Sequence, residues 1–309
     1  MPTLLVQDQV YRRHRVPAGH VERPQRLEAI DAALAADRFS GLARRGAPPP
    51  ADDAVLATAH RPAYIDAIRA AIPATGIAQI EADTFVGPET FTVAAQAAAG
   101  ACVAVDAVMG GAAANAFCAV RPPGHHAGAD TAMGFCIFNN AVIAARHAQG
   151  RHGAGRVAIV DWDVHHGNGT QAIVEADASI LYCSTHQMPL YPGTGDPSET
   201  GVGNIVNVPL APGDGSVAFR RAFAAAVIPA VDAFRPDLVV ISAGFDAHAR
   251  DPLGELALGA EDFGWATAAL MEVAGRHCAG RIVSLLEGGY DLTGLADSVA
   301  AHVAALMTA

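Results

Sequence analysis

Along this chain short apolar runs recur, each followed by a polar tip and then by a stretch with helical spacing. Thr3 to Val6, Asn115 to Val120, Arg156 to Val160, Ser179 to Ser184, Ile205 to Val208, Asp237 to Ser242 and Arg281 to Leu286 read as strands. Several are continuously apolar and β-branched rather than alternating, the mark of strands covered on both faces. Helical patterns fill the intervals: Arg23 to Ala36, Ala54 to Ile72, Glu89 to Met109, Asn140 to Gln149, Val217 to Phe234, Glu261 to His277 and Leu292 to Leu306. Pro24 sits near the start of the first of these, where proline is tolerated. The run Pro48, Pro49, Pro50 marks a break rather than a boundary, because helical spacing resumes at once. Strands and helices taking turns over the full length predict an α/β fold: one domain over residues 1–309, three layers, a central mainly parallel sheet and helices on both faces.

In such a sheet ligands bind beyond the carboxyl ends of the strands, so the polar tips are where chemistry is expected. The most informative tip follows Val157 to Val160 and reads Asp161, Trp162, Asp163, Val164, His165, His166, Gly167, Asn168, Gly169, Thr170. If the chain stays extended past Val160, Asp161, Asp163 and His165 project to one side and share one small volume. Carboxylate and imidazole together suit a divalent ion of the zinc type, and gathering them beside an apolar strand is costly without a cation. Other tips repeat the arrangement: Arg121 to Gly128 with the His125 and His126 tandem, Thr185 and His186, Gly244 to His248 around Asp246, and Glu287 to Tyr290.

Composition narrows the class. With 51% hydrophobic and 17% charged residues the chain is globular rather than disordered. A formal net charge of −11 argues against non-specific nucleic-acid binding and favours the approach of a cationic substrate. The longest apolar runs are far too short to cross a bilayer, and Leu4, Leu5 and Val6 followed by Arg12, Arg13 and Arg15 are in the wrong order and of the wrong length for a signal peptide, so a cytoplasmic protein without membrane contact is expected. Five widely spaced cysteines point to buried thiols.

Six segments, in order and spanning most of the chain, resemble the zinc-dependent histone deacetylase superfamily in its bacterial, class II-like amidohydrolase branch. They are Arg121 to Ala127, Gly134 to Cys136 with Phe138 to Asn140, Asp161 to Thr170, Tyr191 to Gly195, Gly244 to Asp246, and Glu287 to Tyr290. The resemblance implies the arginase/deacetylase type of α/β fold and a zinc ion on Asp163, His165 and Asp246, with a coordination position left open. It implies that His126 acts as general base, that His125 is electrostatic and oriented by Asp161, and that Tyr290 donates to the oxyanion. Asn168, where some branches carry Asp, is expected to fix the tautomer of His126.

By the same resemblance Phe135 and Tyr191 line a narrow channel beside Gly134, Asp83 sits at its rim, Arg26 faces an inner acetate-release region, and Leu253 replaces the Glu of polyamine-selective relatives. Ser184 and backbone oxygens of Asp161, Asp163, His165 and Thr185 match a structural potassium site. The implied activity is hydrolysis of acyl groups from lysine side chains of proteins or peptides. Alternatives within reach of these residues are a small acylated amine such as an acetylpolyamine, a two-manganese arginase-type enzyme, and an acyl-binding module without turnover. Homo-oligomer formation is left open. His14, His60, His147, His152, His277 and His302 lack any partner pattern and are expected as surface or helix histidines.

Overall fold

The computed structural model describes residues 1–308. Its strands are β1 (Thr3–Gln7), β2 (Ala43–Arg45), β3 (Ala78–Gln79), β4 (Phe85–Val86), β5 (Asn115–Ala119), β6 (Val157–Asp161), β7 (Ile180–Gln187), β8 (Ile205–Leu210), β9 (Leu238–Ala243) and β10 (Ile282–Leu286). Eight form one sheet in the order β2-β1-β5-β10-β9-β6-β7-β8, and every pairing within it is parallel. The α/β class with a parallel central sheet is therefore as the sequence predicts. β3 and β4 pair antiparallel as a separate hairpin.

The helices are α1 (Gln25–Ala33), α2 (Asp53–Leu56), α3 (Pro62–Ala71), α4 (Thr90–Met109), α5 (Asn140–His152), α6 (Asn168–Val174), α7 (Ser216–Ala222), α8 (Ile228–Phe234), α9 (Ala260–His277) and α10 (Leu292–Leu306). α4 packs on α5, and α10 packs on both α1 and α9, as the helix layers over the sheet. The four strands at the centre, β5, β10, β9 and β6, are fully buried. Their carboxyl ends are aligned by register, with Asp161 opposite Ser242 and Leu286 opposite Ala243. Four of the five polar tips that the sequence singled out extend from these four neighbouring strands.

Four local features differ from the sequence reading. The helix expected over Ala54 to Ile72 is two helices, because Arg61 precedes Pro62 and takes an extended conformation (φ −67°, ψ 138°). The helix expected over Val217 to Phe234 contains a π turn at Phe223–Val227. Pro229 lacks an N–H and its ring crowds the carbonyl of residue 225, so the wider turn relieves that clash. β2 and α6 were not anticipated: β2 is a three-residue polar edge strand, and α6 begins among glycines.

The judgement that the apolar runs are too short for a bilayer also needs correction. α4 has 20 residues and is apolar enough by length and composition. Its apolar character belongs to the core, since 67% of its 18-residue apolar window is buried, and the helix packs against β1, β5, β10 and α5. All five cysteines are buried free thiols.

Candidate active site

The tip after β6 does not stay extended. Asp161 Oδ1 accepts from the backbone N of Asp163 (3.1 Å), and Asp163 Oδ1 accepts from the backbone N of His165 (2.9 Å), so two successive side-chain-capped turns fold the segment. The three residues therefore do not share one face. Asp163 and His165 converge instead with Asp246, from the tip after β9, and their ligand atoms lie within 4.8 Å of one another. Asp161 turns to the neighbouring histidine: its Oδ2 accepts from His125 Nδ1 and from Tyr182 Oη, both at 3.0 Å.

The converging cluster is buried and demands positive charge. Burial and the nearby Asp163 carboxylate push the Asp246 carboxyl up. Burial opposes a charged His165, yet hydrogen bonds to Asp163 (3.0 Å) and Asp246 (3.2 Å) raise it to about 10. Two buried carboxylates facing one imidazole call for a cation among them, and the donor set of two Asp and one His suits zinc. Close packing leaves no room for larger neighbours: a Cβ on Gly288 would lie 2.1 Å from Asp246 Oδ2.

His125 and His126 come from the loop after β5, rings 4.0 Å apart. Burial works against the charge on His125, but Asp163 and Asp161 outweigh it and raise its pKa well above the ordinary value. His126 goes the other way, pulled well down by burial and by His125 and His165, and is neutral. Its Nδ1 donates to Asn168 Oδ1 (2.8 Å), which leaves Nε2 as the free acceptor. Two electrostatically distinct imidazoles thus sit side by side.

The opposite wall carries Tyr290, whose backbone N donates to Asp251 Oδ2 (2.6 Å) and whose phenol is held protonated by burial and by Asp246. Arg26 is fully buried beneath it, with its guanidinium 5.0 Å from the Tyr290 ring centre and Nε donating to Gly289 O (2.6 Å). Although burial opposes its charge, Glu22 is held down to about 2 by Arg121 and Arg26. Tyr290 borders a cavity of about 230 Å³ lined also by Asp83, His126, Gly134, Phe135, His165, Leu190, Tyr191 and Leu253.

Channel walls are set by the β3–β4 hairpin. Gly134 and Phe135 both take left-handed backbone (φ 56° and 68°), which is strained for phenylalanine. Gly134 N donates to Asp83 Oδ1 (3.0 Å) and Phe135 N donates to Thr84 Oγ1 (3.1 Å), while Thr84 Oγ1 donates to Asp83 Oδ1 (2.8 Å). The rim carboxylate thus also anchors the channel wall.

Of the site residues named from sequence, Asp83, His126, Gly134, Phe135, His165, Tyr191, Leu253 and Tyr290 line this cavity. Asp161 and Ser184 are register partners, Ser184 Oγ pairs with His186 Nδ1 (2.9 Å), and Thr185 Oγ1 is buried without a partner. Sequence reasoning missed the supports: Thr84, Asp251, Tyr182, and Glu287, whose Oε2 accepts from the backbone N of Gly124 (2.6 Å) and His125 (3.2 Å). Glu287 stood inside a quoted motif, so its position was visible although its role was not.

The expectation of surface or helix positions is overturned for His14 and His60, whereas His302 does lie on a helix, α10. His14, His60 and His302 are deeply buried. His60 Nδ1 donates to Gly128 O (2.8 Å) and Nε2 accepts from Asn139 N (2.8 Å), so it ties the His126 loop to the start of α5. His302 links Thr267 (2.6 Å) to Ser284 (2.8 Å).

Residues 20–306 match the histone deacetylase domain. The histone deacetylase-like amidohydrolase of Pseudomonas aeruginosa is 41% identical over 278 residues, covering 88% of this chain and 73% of that protein. A probable deacetylase of Archaeoglobus fulgidus is 43% identical over 219 residues, covering 70% of this chain and 61% of that one. The crystal structure of the HDA15 HD domain superposes with a TM-score of 0.93 at 37% identity, covering 100% of this chain and 90% of that one. With matching sequence and fold, this chain belongs to the histone deacetylase family and is a hydrolase acting on amides.

Proposed function

We propose that this enzyme removes acetyl or related acyl groups from lysine side chains of proteins or peptides, using one zinc ion held by Asp163, His165 and Asp246. The observation that carries this reading is the neutral His126 and the protonated Tyr290 lining the same narrow cavity as His165, with Phe135 and Tyr191 along it. When bound, zinc supplies Lewis acidity, acidifying water and polarising an acyl oxygen.

The protein groups do the rest. His126 Nε2 takes a proton from the attacking water and returns it to the leaving amine, with Asn168 holding the ring in the required tautomer. His125 remains paired with Asp161 and contributes charge. Tyr290 donates its phenolic proton in a hydrogen bond to the developing oxyanion. The aromatic walls enclose an uncharged alkyl stem, and Asp83 at the rim receives the substrate backbone. Arg26 behind Tyr290 faces the acetate product.

The polar atoms around Asp161, Ser184 and Thr185, with the unpartnered Thr185 hydroxyl, suit a structural potassium ion. Acyl-lysine is favoured over an acetylpolyamine because Leu253, not an acid, lines the cavity, and Asp83 is its one carboxylate. Acetate release from an acetyl-lysine peptide and from a short acetylated polyamine, measured side by side, tests the choice. A higher kcat/KM for the peptide supports it; a higher value for the polyamine replaces it with the small-amine reading.

A further inference from the structure

A second group of two histidines and an aspartate lies at the far ends of α4 and α5. His147 Nε2 and His152 Nε2, both on α5, approach the same oxygen, Oδ1 of Asp106 on α4, at 2.8 and 2.7 Å. Their rings are 6.0 Å apart and inclined at 69°, so the two imidazoles reach the oxygen from different directions. The histidines are about four-fifths buried, with side-chain exposures of 19% and 21%, and Asp106 is 46% exposed. At a rise of about 1.5 Å per residue, His147 and His152 lie roughly 10 and 18 Å along α5 from Asn140. Asn140 and Asn139 touch the loop that carries His125 and His126, through Pro122 O and Ala127 O.

Three observations separate this group from an ordinary surface ion pair. Asp106 is the sole charged residue of α4, and it stands in the last turn, where the negative end of the helix disfavours a carboxylate. Among the described residues, neither His147 nor His152 uses its Nδ1 in a protein hydrogen bond, so the proton can sit there and leave each Nε2 lone pair free for a metal. His60 and His302, with both nitrogens engaged, have no such freedom. Finally, no guanidinium satisfies Asp106, whereas the other surface carboxylate with a histidine, Asp232, is already held by Arg276 through Nε (3.0 Å) and Nη2 (2.8 Å) and by His277.

We infer that Asp106, His147 and His152 form a second divalent transition-metal site, of zinc type, that clips the end of α4 to the end of α5. Two imidazoles and one carboxylate are a borderline donor set that leaves a position for water. Ligands about a tetrahedral zinc stand roughly 3.3 Å apart at bond lengths of about 2.0–2.1 Å. Each imidazole therefore withdraws by about half an ångström from its place beside Oδ1, a movement its exposure allows. The site is remote from the reacting groups, so its effect is on stability. It also means that two metal equivalents per chain would not indicate a binuclear catalytic centre.

The test is zinc stoichiometry of the chelated full-length protein by calorimetric titration, in the parent and in Asp106→Asn, His152→Ala and His147→Gln. The expected result is that the parent binds one equivalent more than each variant, with turnover at the first equivalent the same in all four proteins. A rise in melting temperature with the extra equivalent should occur in the parent alone. Equal stoichiometry in parent and variants, or an equal melting response, overturns the site. His147→Gln keeps a neutral polar side chain, and its circular dichroism should match the parent, so loss of metal there cannot be loss of fold.

Discussion

Asp163, His165 and Asp246 on one side, and Asp106, His147 and His152 on the other, are made of the same side-chain types and differ chiefly in surroundings. The first cluster is buried, with His165 alone reaching the cavity, and His165 is raised to about 10 by its carboxylates. The second lies at the surface, with Asp106 46% exposed and the two histidines partly exposed. Burial thus converts an arrangement that tolerates the absence of a cation into one that demands it. It also decides the chemistry, because only the buried cluster has a pair of distinct imidazoles and a phenol arranged around it.

Substitutions at the two clusters should separate them most widely. Asp246→Ala is expected to lose the tight zinc equivalent and to lower kcat/KM by about three orders of magnitude, since metal stabilisation of the transition state amounts to several kcal/mol. Asp106→Asn should leave turnover unchanged. Zinc content and steady-state rates of the two variants, measured on the same substrate, check the contrast.

Buried histidines sharpen the comparison through acid stability. Burial lowers His14 to about 3, His60 to about 4 and His302 to about 3, while in the unfolded chain each titrates near ~6.5. Between these limits the unfolded state binds protons that the native state refuses, so stability is full above about pH 6.5 and falls as pH drops toward the native values. Each histidine contributes about 1.4 kcal/mol per pH unit in that window, or about 4 kcal/mol for the three. Urea unfolding at pH 7 and pH 5.5 reads this directly, and His302→Gln should flatten the dependence. A pH-independent midpoint over that range would contradict the assignment of these rings as neutral.

Within the buried site, Tyr290→Phe removes a single donor. Loss of an oxyanion donor typically costs about 10²–10³ in kcat. Zinc affinity should stay the same, which distinguishes this variant from Asp246→Ala. Comparable small effects on turnover and on affinity for an acetyl-lysine peptide would count against Tyr290 as the donor and toward a binding module.

Thr84→Val should have the smallest effect of these. It leaves the part-buried N–H of Phe135 unpaired, at about 1 kcal/mol in stability, and frees Asp83 from one of its anchors. KM is expected to rise several-fold with little change in kcat, and Thr84→Ser should restore it. A fall in kcat without a change in KM would mean that the hairpin supports the reacting groups instead of the channel.

The site was legible where one segment carries one function. Apolar runs ending in Asp, His or Tyr announced strand tips, and the four central strands do bring His125, Asp163, Asp246 and Tyr290 to one edge. What escaped were relations across segments. Asp161 was grouped with Asp163 and His165 on the assumption of extended backbone, but the Asp side chains themselves bend that backbone by capping the second residue on. Thr84 and Asp251 are unremarkable in sequence and acquire roles through partners about 50 and about 40 residues away, Phe135 and Tyr290 respectively. His14, His60 and His302 carry no spacing signal either, since a neutral buried imidazole needs just two hydrogen-bond partners, which can come from anywhere in the chain. The π turn before Pro229 and the break at Pro62, by contrast, follow from proline chemistry that the sequence displays.

The most direct test of the central claim is acetate release from an acetyl-lysine peptide by chelated enzyme titrated with zinc. The account predicts no turnover without metal, a linear rise to one equivalent per chain and a plateau beyond it, the surface cluster adding binding but no rate. Full activity in the chelated enzyme, or a rate that keeps climbing to the second equivalent in Asp106→Asn as well as in the parent, would contradict it.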